Sequence, residues 1–96
     1  MPNVDGTVVR LHLPPLSEER RHELVRQVRR RLEEARVEIR NFRREAADEL
    51  KRALREGTLG EDEERRELEV LQRLTDRFIE MAEARGERKE TEIMEV

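Results

Sequence analysis

The sequence predicts an all-α fold, a long antiparallel hairpin of two helices. No Gly or Pro interrupts residues 17–56, while Gly57 and Gly60 bracket a short polar segment. Apolar residues recur every three or four positions on both sides of that segment, which is the spacing of an amphipathic helix. The composition is 47% charged and 34% hydrophobic with two aromatic residues, which favours long solvated helices or a coiled coil over a thick globular core.

Residues 1–16 differ from the rest of the chain. Asp5-Gly6 is a turn signal, and Thr7 to Leu13 alternate like a strand. Pro14-Pro15 cannot continue that strand and forms a stiff, extended joint. The chain offers no second strand, so three alternatives stay open: this segment is disordered, belongs to a sheet formed by other residues, or pairs with another copy.

The first helix should cover residues 17–56. Ser17 is suited to the N-cap, and Glu18 and Glu19 in the first turn interact favourably with the helix dipole. Gly57 is suited to the position just after the helix, and forty residues would span ~60 Å. The apolar positions that define one side of this helix are Leu24, Val28, Leu32, Ala35, Ile39, Phe42, Ala46, Leu50 and Ala53.

A turn at residues 57–60 should reverse the chain, because short helix–helix loops join antiparallel neighbours. A second helix is then predicted from about residue 61 to about residue 94. Gly86 should weaken this helix by ~1 kcal/mol relative to Ala, and we expect fraying beyond it. The acidic run at residues 61–64 is interpreted as charge compensation at the helix N-terminus rather than a cation site. The main apolar positions of this helix are Leu68, Leu71, Leu74, Phe78, Ala82 and Ile93.

Two helices cannot bury both apolar stripes completely. A third helix would cover the open side, and so would a second copy forming a four-helix bundle. We therefore expect the helical domain, residues 17–96, to form a homo-oligomer.

Arginine is concentrated in the first helix. Ten arginines and no lysine lie between residues 20 and 44, giving a local balance of +6, whereas residues 45–96 carry −7. At ~100° per residue, six of the arginines lie about a third of a turn from the apolar positions: Arg26, Arg29, Arg36, Arg40, Arg43 and Arg44. Segregated guanidinium groups favour a polyanion such as a phosphate backbone. The alternative is a solvated face with intrahelical pairs of Glu33 with Arg29 and Arg36.

Several functional classes have no support. The chain has no cysteine and no apolar run of ~18 residues, so thiol chemistry and a membrane span are excluded, and a cytoplasmic protein is expected. His12 and His22 lack further nitrogen ligands, and no phosphate loop or nucleophile motif is present, so we predict neither enzyme activity, cofactor nor metal. Aromatic residues that could stack on bases are absent from the arginine side. Nucleic-acid contact should therefore involve the backbone of a folded RNA or a duplex.

Three runs of the sequence resemble one protein family. LPPLSEERRHELVRQVRRRLEEARVEIRNFRREAADELKRAL, EDEERRELEVLQRLTDRFIE and the terminal KETEIMEV are similar to the bacterial ribosome recycling factor, with the resemblance covering residues 3–96. It implies a three-helix bundle with a small α/β domain inserted after the first helix. Such a factor splits post-termination ribosomes together with elongation factor G. Its bundle binds large-subunit rRNA near the acceptor ends of the tRNA sites, which favours RNA over DNA as the polyanion.

The resemblance assigns roles to particular positions. Arg36, Arg40, Arg43 and Arg44 fall in the family's ARV, RN and RR motifs and are the predicted rRNA contacts, with Arg29 as outer support. The interdomain hinge corresponds to Leu13, Pro14, Pro15 and Leu16, and residues 4–12 correspond to the last strand of the inserted domain.

The departures from the family pattern shape the expected function. The family's first helix and most of its inserted domain have no counterpart here, Gly60 replaces the usual Ser cap, and Phe42 replaces a smaller apolar residue. We therefore expect the chain to retain rRNA binding and to lose the coupling to elongation factor G. The rival hypothesis is a structural coiled-coil module that binds only other helices and has no ribosome affinity.

Overall fold

The computed structural model describes residues 16–95 as two long helices. Helix α1 is Glu18–Glu56 and helix α2 is Glu61–Met94, and the two pack against each other in antiparallel orientation. Residues 16–95 contain no strand, and the predicted all-α hairpin is confirmed. The strand-like segment and the hinge residues Leu13, Pro14 and Pro15 lie outside the described residues. Leu16 is described and is exposed.

Both ends of α1 are capped by the residues that the sequence indicates. The Ser17 Oγ accepts a hydrogen bond from the Arg20 backbone N–H at 3.0 Å, which satisfies one of the free donors of the first turn. Gly57 adopts φ 77°, a left-handed conformation that costs glycine little. Its N–H donates to the Leu54 carbonyl, and Thr58 N–H donates to the Ala53 carbonyl at 3.0 Å, so the chain reverses within one turn.

Helix α2 begins without a side-chain N-cap, because residue 60 is glycine. The Glu63 carboxylate accepts a hydrogen bond from the Gly60 N–H at 3.1 Å instead, and four acidic residues fill the first turn. The helix then runs through Gly86 to Met94, close to the predicted end near residue 94 and without the fraying expected beyond Gly86. Gly86 is buried, and a Cβ atom there would lie 3.3 Å from the Leu32 Cδ2 atom, so the glycine lets the helices approach closely.

The hairpin buries very little apolar surface. Among the described residues Val25 is the one buried hydrophobic residue, at 8% exposure, and no side chain is fully buried. Phe42, predicted to lie on the apolar side of the first helix, is 67% exposed, and Phe78 is 54% exposed. These side chains line an open strip between the helices, the apolar groove. Its apolar lining residues are Leu24, Val28, Leu32, Ala35, Ile39, Phe42, Ala46 and Leu50 of α1 and Val70, Leu71, Leu74, Phe78, Ala82, Gly86 and Ile93 of α2.

Candidate nucleic-acid interface

The five arginines predicted to contact rRNA all lie on α1, and together they are the arginine face: Arg29, Arg36, Arg40, Arg43 and Arg44. A continuous helix holds their backbone positions fixed relative to one another, since α1 has no Gly or Pro between Glu18 and Glu56. Their side chains, however, have different partners. The structure divides the face into a part that binds α2 and a part that does not.

Arg29 is paired with the C-terminal part of α2. Its Nε and Nη2 atoms donate to the two carboxylate oxygens of Glu90, at 3.3 and 3.1 Å. This is the bidentate geometry for which a planar guanidinium is suited. The Arg29 side chain is 68% exposed and that of Glu90 is 26% exposed, so the pair lies at the edge of the helix–helix contact.

Arg36 is held by two carboxylates. Its Nε and Nη2 atoms donate to Glu83 Oε2 of α2 at 3.1 and 2.8 Å, and its Nη1 atom donates to Glu33 Oε1 of α1 at 3.2 Å. Only 28% of the Arg36 side chain is exposed. A phosphate would have to displace one of these carboxylates to bind this guanidinium.

The other three arginines carry no ion pair within residues 16–95. Arg40 and Arg44 are exposed and lie four residues apart, one above the other on the same side of the helix. Arg44 Nη1 donates to the neutral Asn41 Oδ1 at 3.1 Å, which orients the guanidinium and leaves its charge uncompensated. Arg43 is half-buried and lines the middle of the apolar groove.

The carboxylate partners also raise the pKa of Arg29 and Arg36. Hydrogen bonding to Glu90, reinforced by its charge, raises the pKa of Arg29. A hydrogen bond to Glu83, and to a smaller extent one to Glu33, raises the pKa of Arg36. Each guanidinium is thus stabilised in its charged form by a partner of the same chain, and that partner competes with any external anion.

The carboxylate partners on α2 were missed by the sequence analysis, although a signal for them exists. Arg29 and Arg36 are seven residues apart, and so are Glu83 and Glu90, which an antiparallel pair of helices brings together in reverse order. The predicted intrahelical pairing is half correct: Glu33 does bind Arg36, whereas Arg29 pairs with Glu90 rather than Glu33.

Two further features of the described residues bear on the site. No group of three or more His, Asp or Glu side chains in residues 16–95 is arranged to hold a metal ion. Neither described helix has a stretch apolar enough to span a bilayer. Within the arginine face, Arg40 and Arg44 are the exposed members that form no ion pair in residues 16–95.

Comparison with known proteins gives a consistent result. The family described as Ribosome recycling factor matches residues 1–94. The ribosome-recycling factor of Halalkalibacterium halodurans is 50% identical over 95 residues, covering 99% of this chain and 51% of that protein. Its counterpart in Dehalococcoides mccartyi is 46% identical over 96 residues, covering 100% of this chain and 52% of the relative. The Legionella pneumophila protein is 46% identical over 95 residues, at 99% and 51% coverage. The chain thus spans about half the length of these curated relatives.

Proposed function

Because the chain belongs to the ribosome recycling factor family, we propose that it acts in ribosome recycling after translation termination, by binding large-subunit rRNA through its arginine face. The observation that carries the proposal is the pair of exposed guanidinium groups at Arg40 and Arg44, which have no carboxylate partner within the described residues. Two unneutralised cations on one side of a rigid helix can each displace a counterion from a phosphate backbone.

Within the arginine face the proposed roles differ. Arg40 and Arg44 make the principal phosphate contacts. Arg43 contributes from the edge of the apolar groove, where it is half-buried. Arg29 and Arg36 hold α2 against α1 through Glu90 and Glu83, so they support the binding surface.

Phosphate contact agrees with the chemistry of this surface. Phe42 and Phe78 line the apolar groove, and the principal contacts Arg40 and Arg44 do not, so a base at Arg40 or Arg44 has no aromatic ring of the groove to stack on. Arginine forks bind phosphate oxygens bidentately without reading sequence. The acidic residues of α2 disfavour indiscriminate binding and restrict the contact to a polyanion whose shape brings it against α1.

Sedimentation tests the proposal directly. The 96-residue chain is pelleted with purified large ribosomal subunits, and in parallel with small subunits, at a low and a high salt concentration. We expect pelleting with large subunits that decreases as salt rises. No pelleting at low salt, or equal pelleting with both subunits, would contradict the proposal.

The partnership with elongation factor G belongs to the same proposal and needs its own measurement. A ribosome-splitting assay with the factor and GTP is run with the chain alone and with the chain added to a full-length relative. We expect the chain alone to give no splitting and an excess of chain to inhibit the full-length relative by competing for its rRNA site. The Arg40→Ala/Arg44→Ala variant is the control and should not inhibit.

The rival function is a structural coiled-coil module, and the open apolar groove favours it. That module would bind only other helices, so it would self-associate without pelleting with ribosomes at either salt concentration. The sedimentation experiment therefore separates the two functions.

A further inference from the structure

Asn41 is the uncharged residue beside the two exposed arginines of the arginine face, and its side chain binds one of them. Arg44 Nη1 donates to Asn41 Oδ1 at 3.1 Å. We infer that Asn41 is a positioning residue of the rRNA contact: it fixes the direction of the Arg44 guanidinium without neutralising it, and it keeps this group away from the carboxylate of Asp48. The inference rests on the proposed rRNA binding and adds to it a residue that carries no charge.

The contact between Asn41 and Arg44 repeats a geometry that three other arginines form with carboxylates. In each case the Nη1 atom of the arginine lies close to a side-chain oxygen of the residue three positions earlier. These pairs are Glu33 with Arg36 at 3.2 Å, Glu49 with Arg52 at 3.3 Å and Asp62 with Arg65 at 3.1 Å. Asn41 has the length of an aspartate and accepts at the same 3.1 Å as Asp62. The amide therefore keeps the hydrogen bond of such a pair and omits its negative charge.

Arg44 also has an acidic neighbour on its own helix. Asp48 lies four residues after it, one helical turn away, and forms no ion pair within residues 16–95. Arg40, four residues before Arg44, repels it towards Asp48. An exposed ion pair is weak, and weaker still when the cation precedes the anion along the helix. One well-directed hydrogen bond to Asn41 is therefore enough to decide which way the guanidinium points.

Arg40 has no need of a positioning residue of this kind. The side chains that can reach it along the helix are those three and four positions away. These are Arg36, Val37, Arg43 and Arg44. None of them is acidic, so the charge of Arg40 is left open by the sequence around it, whereas that of Arg44 is left open by Asn41. A substitution at position 41 should therefore remove the phosphate contact of Arg44 and spare that of Arg40.

The first test converts the amide to a carboxylate in the full 96-residue chain. Asn41→Asp should form with Arg44 the ion pair that Asp62 forms with Arg65. Binding to large-subunit rRNA should weaken, and the log–log salt slope should become smaller by ~0.7–0.9, the share of one phosphate contact. Gln27→Glu is the matched control, because it makes the same chemical change on α1 several turns from Arg44. It should keep the slope.

The second test removes the hydrogen bond without changing the charge. In Asn41→Ala the Arg44 guanidinium should turn to Asp48, and the slope should again fall, by up to ~0.9. Adding Asp48→Ala removes the competing carboxylate and should restore the slope. Asp48→Ala alone should leave the slope unchanged, since Asn41 already holds Arg44 away from it. Asn41 and Asp48 are exposed, so all variants should keep the helical circular dichroism and melting temperature of the unaltered chain.

The single variant Arg44→Ala separates the failure of this inference from the failure of the proposed function. If Arg44→Ala leaves the salt slope unchanged, Arg44 does not bind phosphate, and both are wrong. If Arg44→Ala lowers the slope while Asn41→Asp lowers it no more than Gln27→Glu does, rRNA binding stands and the role of Asn41 is overturned. A slope that falls in Asn41→Ala and is not restored by Asp48→Ala overturns that role as well.

Discussion

Arg29 and Arg36 differ from Arg40 and Arg44 in what surrounds them, although all four belong to one predicted stripe of one helix. The first two donate to Glu90 and Glu83 across the hairpin. The second two are exposed, and the one side-chain acceptor to which either of them donates within residues 16–95 is the neutral Asn41. The difference shows that arginines on one side of a helix can differ in their role in the fold: two bind the neighbouring helix, and two form no ion pair within the described residues.

The division follows from the register of the hairpin. The turn at residues 57–60 places the second half of α2 beside the first half of α1, and two carboxylates of α2 spaced by seven residues meet two arginines spaced by seven. Gly86 lies between Glu83 and Glu90 and allows the helices to approach there. The part of α1 around Arg40 and Arg44 receives no such carboxylate. Substitutions that disturb the register should therefore break the ion pairs of Arg29 and Arg36 and leave Arg40 and Arg44 unaffected.

The largest expected effect comes from Gly86→Leu. The added side chain would collide with Leu32, force the helices apart and reduce the stability by about 1–3 kcal/mol, as overpacking generally does. Because both ion pairs flank this position, they should break even though no charged residue has changed. Chemical denaturation followed by circular dichroism, at fixed protein concentration, measures the loss.

The matched control for this substitution is Gly86→Ala. Its Cβ would lie 3.3 Å from the end of the flexible Leu32 side chain and at an ordinary contact distance of 3.9 Å from Val28 Cγ1. The gain of ~1 kcal/mol in helix propensity offsets the closer contact. Its stability should stay close to that of the unaltered chain. Equal destabilisation by Ala and Leu would mean that the close approach at Gly86 does not set the helix separation.

A smaller effect is expected when the carboxylates that hold the two paired arginines are removed. Glu83→Ala/Glu90→Ala should weaken the hairpin but strengthen rRNA binding, with the log–log salt slope steeper by ~0.7–0.9 for each guanidinium that gains a phosphate. The affinity and the salt slope are measured by filter binding to large-subunit rRNA over a series of salt concentrations. Glu80→Ala/Glu87→Ala removes the same charge from α2 without freeing an arginine. If the control steepens the slope equally, net charge rather than release of Arg29 and Arg36 is responsible.

The smallest effect concerns the shape of the cation. Lysine keeps the charge but cannot donate from a planar fork. Arg36→Lys should therefore lower the melting temperature by a few degrees, because one ammonium cannot reproduce the hydrogen bonds to both Glu83 and Glu33. Arg40→Lys should leave the melting temperature and the salt slope unchanged, since it has no such partner. Melting scans of both variants check this, and a larger loss for Arg40→Lys would reverse the assignment.

These ion pairs should be insensitive to pH in the neutral range. A group whose pKa is raised by folding stabilises the protein fully below its unfolded pKa and loses that effect as the pH rises through the folded value. For Arg29 and Arg36, whose pKa values are raised, that loss falls in strongly alkaline solution. Salt concentration, rather than pH, is therefore the variable that should distinguish the roles of Arg29 and Arg36 from those of Arg40 and Arg44.

Much of the fold could be predicted from the sequence, because it depends on local signals. Capping and apolar spacing act within one or two helical turns. Helix α1 accordingly begins after Ser17 and ends before Gly57, as predicted. A second helix to about residue 94 was also predicted, but the fraying expected beyond Gly86 is not observed. The close approach of Gly86 to Leu32 could not be predicted, because it involves a residue of the other helix. The apolar spacing likewise identified the stripe that contains Phe42 without showing that one side of it lies open to solvent.

The candidate site was predicted less completely, for the same reason. A helical projection places all five arginines on one side of α1, but it contains no information about α2. The pairing of Arg29 with Glu90 requires the register of two helices, which neither helix specifies alone. Projection also placed Arg43 with the other basic residues, whereas its side chain lines the apolar groove.

The central claim is that Arg40 and Arg44 bind phosphate while Arg29 and Arg36 bind α2. The most direct test is the salt dependence of binding to large-subunit rRNA for Arg40→Ala/Arg44→Ala and Arg29→Ala/Arg36→Ala, two variants of equal net charge. Our account predicts that the first loses affinity and ~1.4–1.8 of the log–log slope, with unchanged thermal stability. It predicts that the second melts earlier and keeps its slope. A slope that falls as far for Arg29→Ala/Arg36→Ala as for Arg40→Ala/Arg44→Ala would contradict the claim.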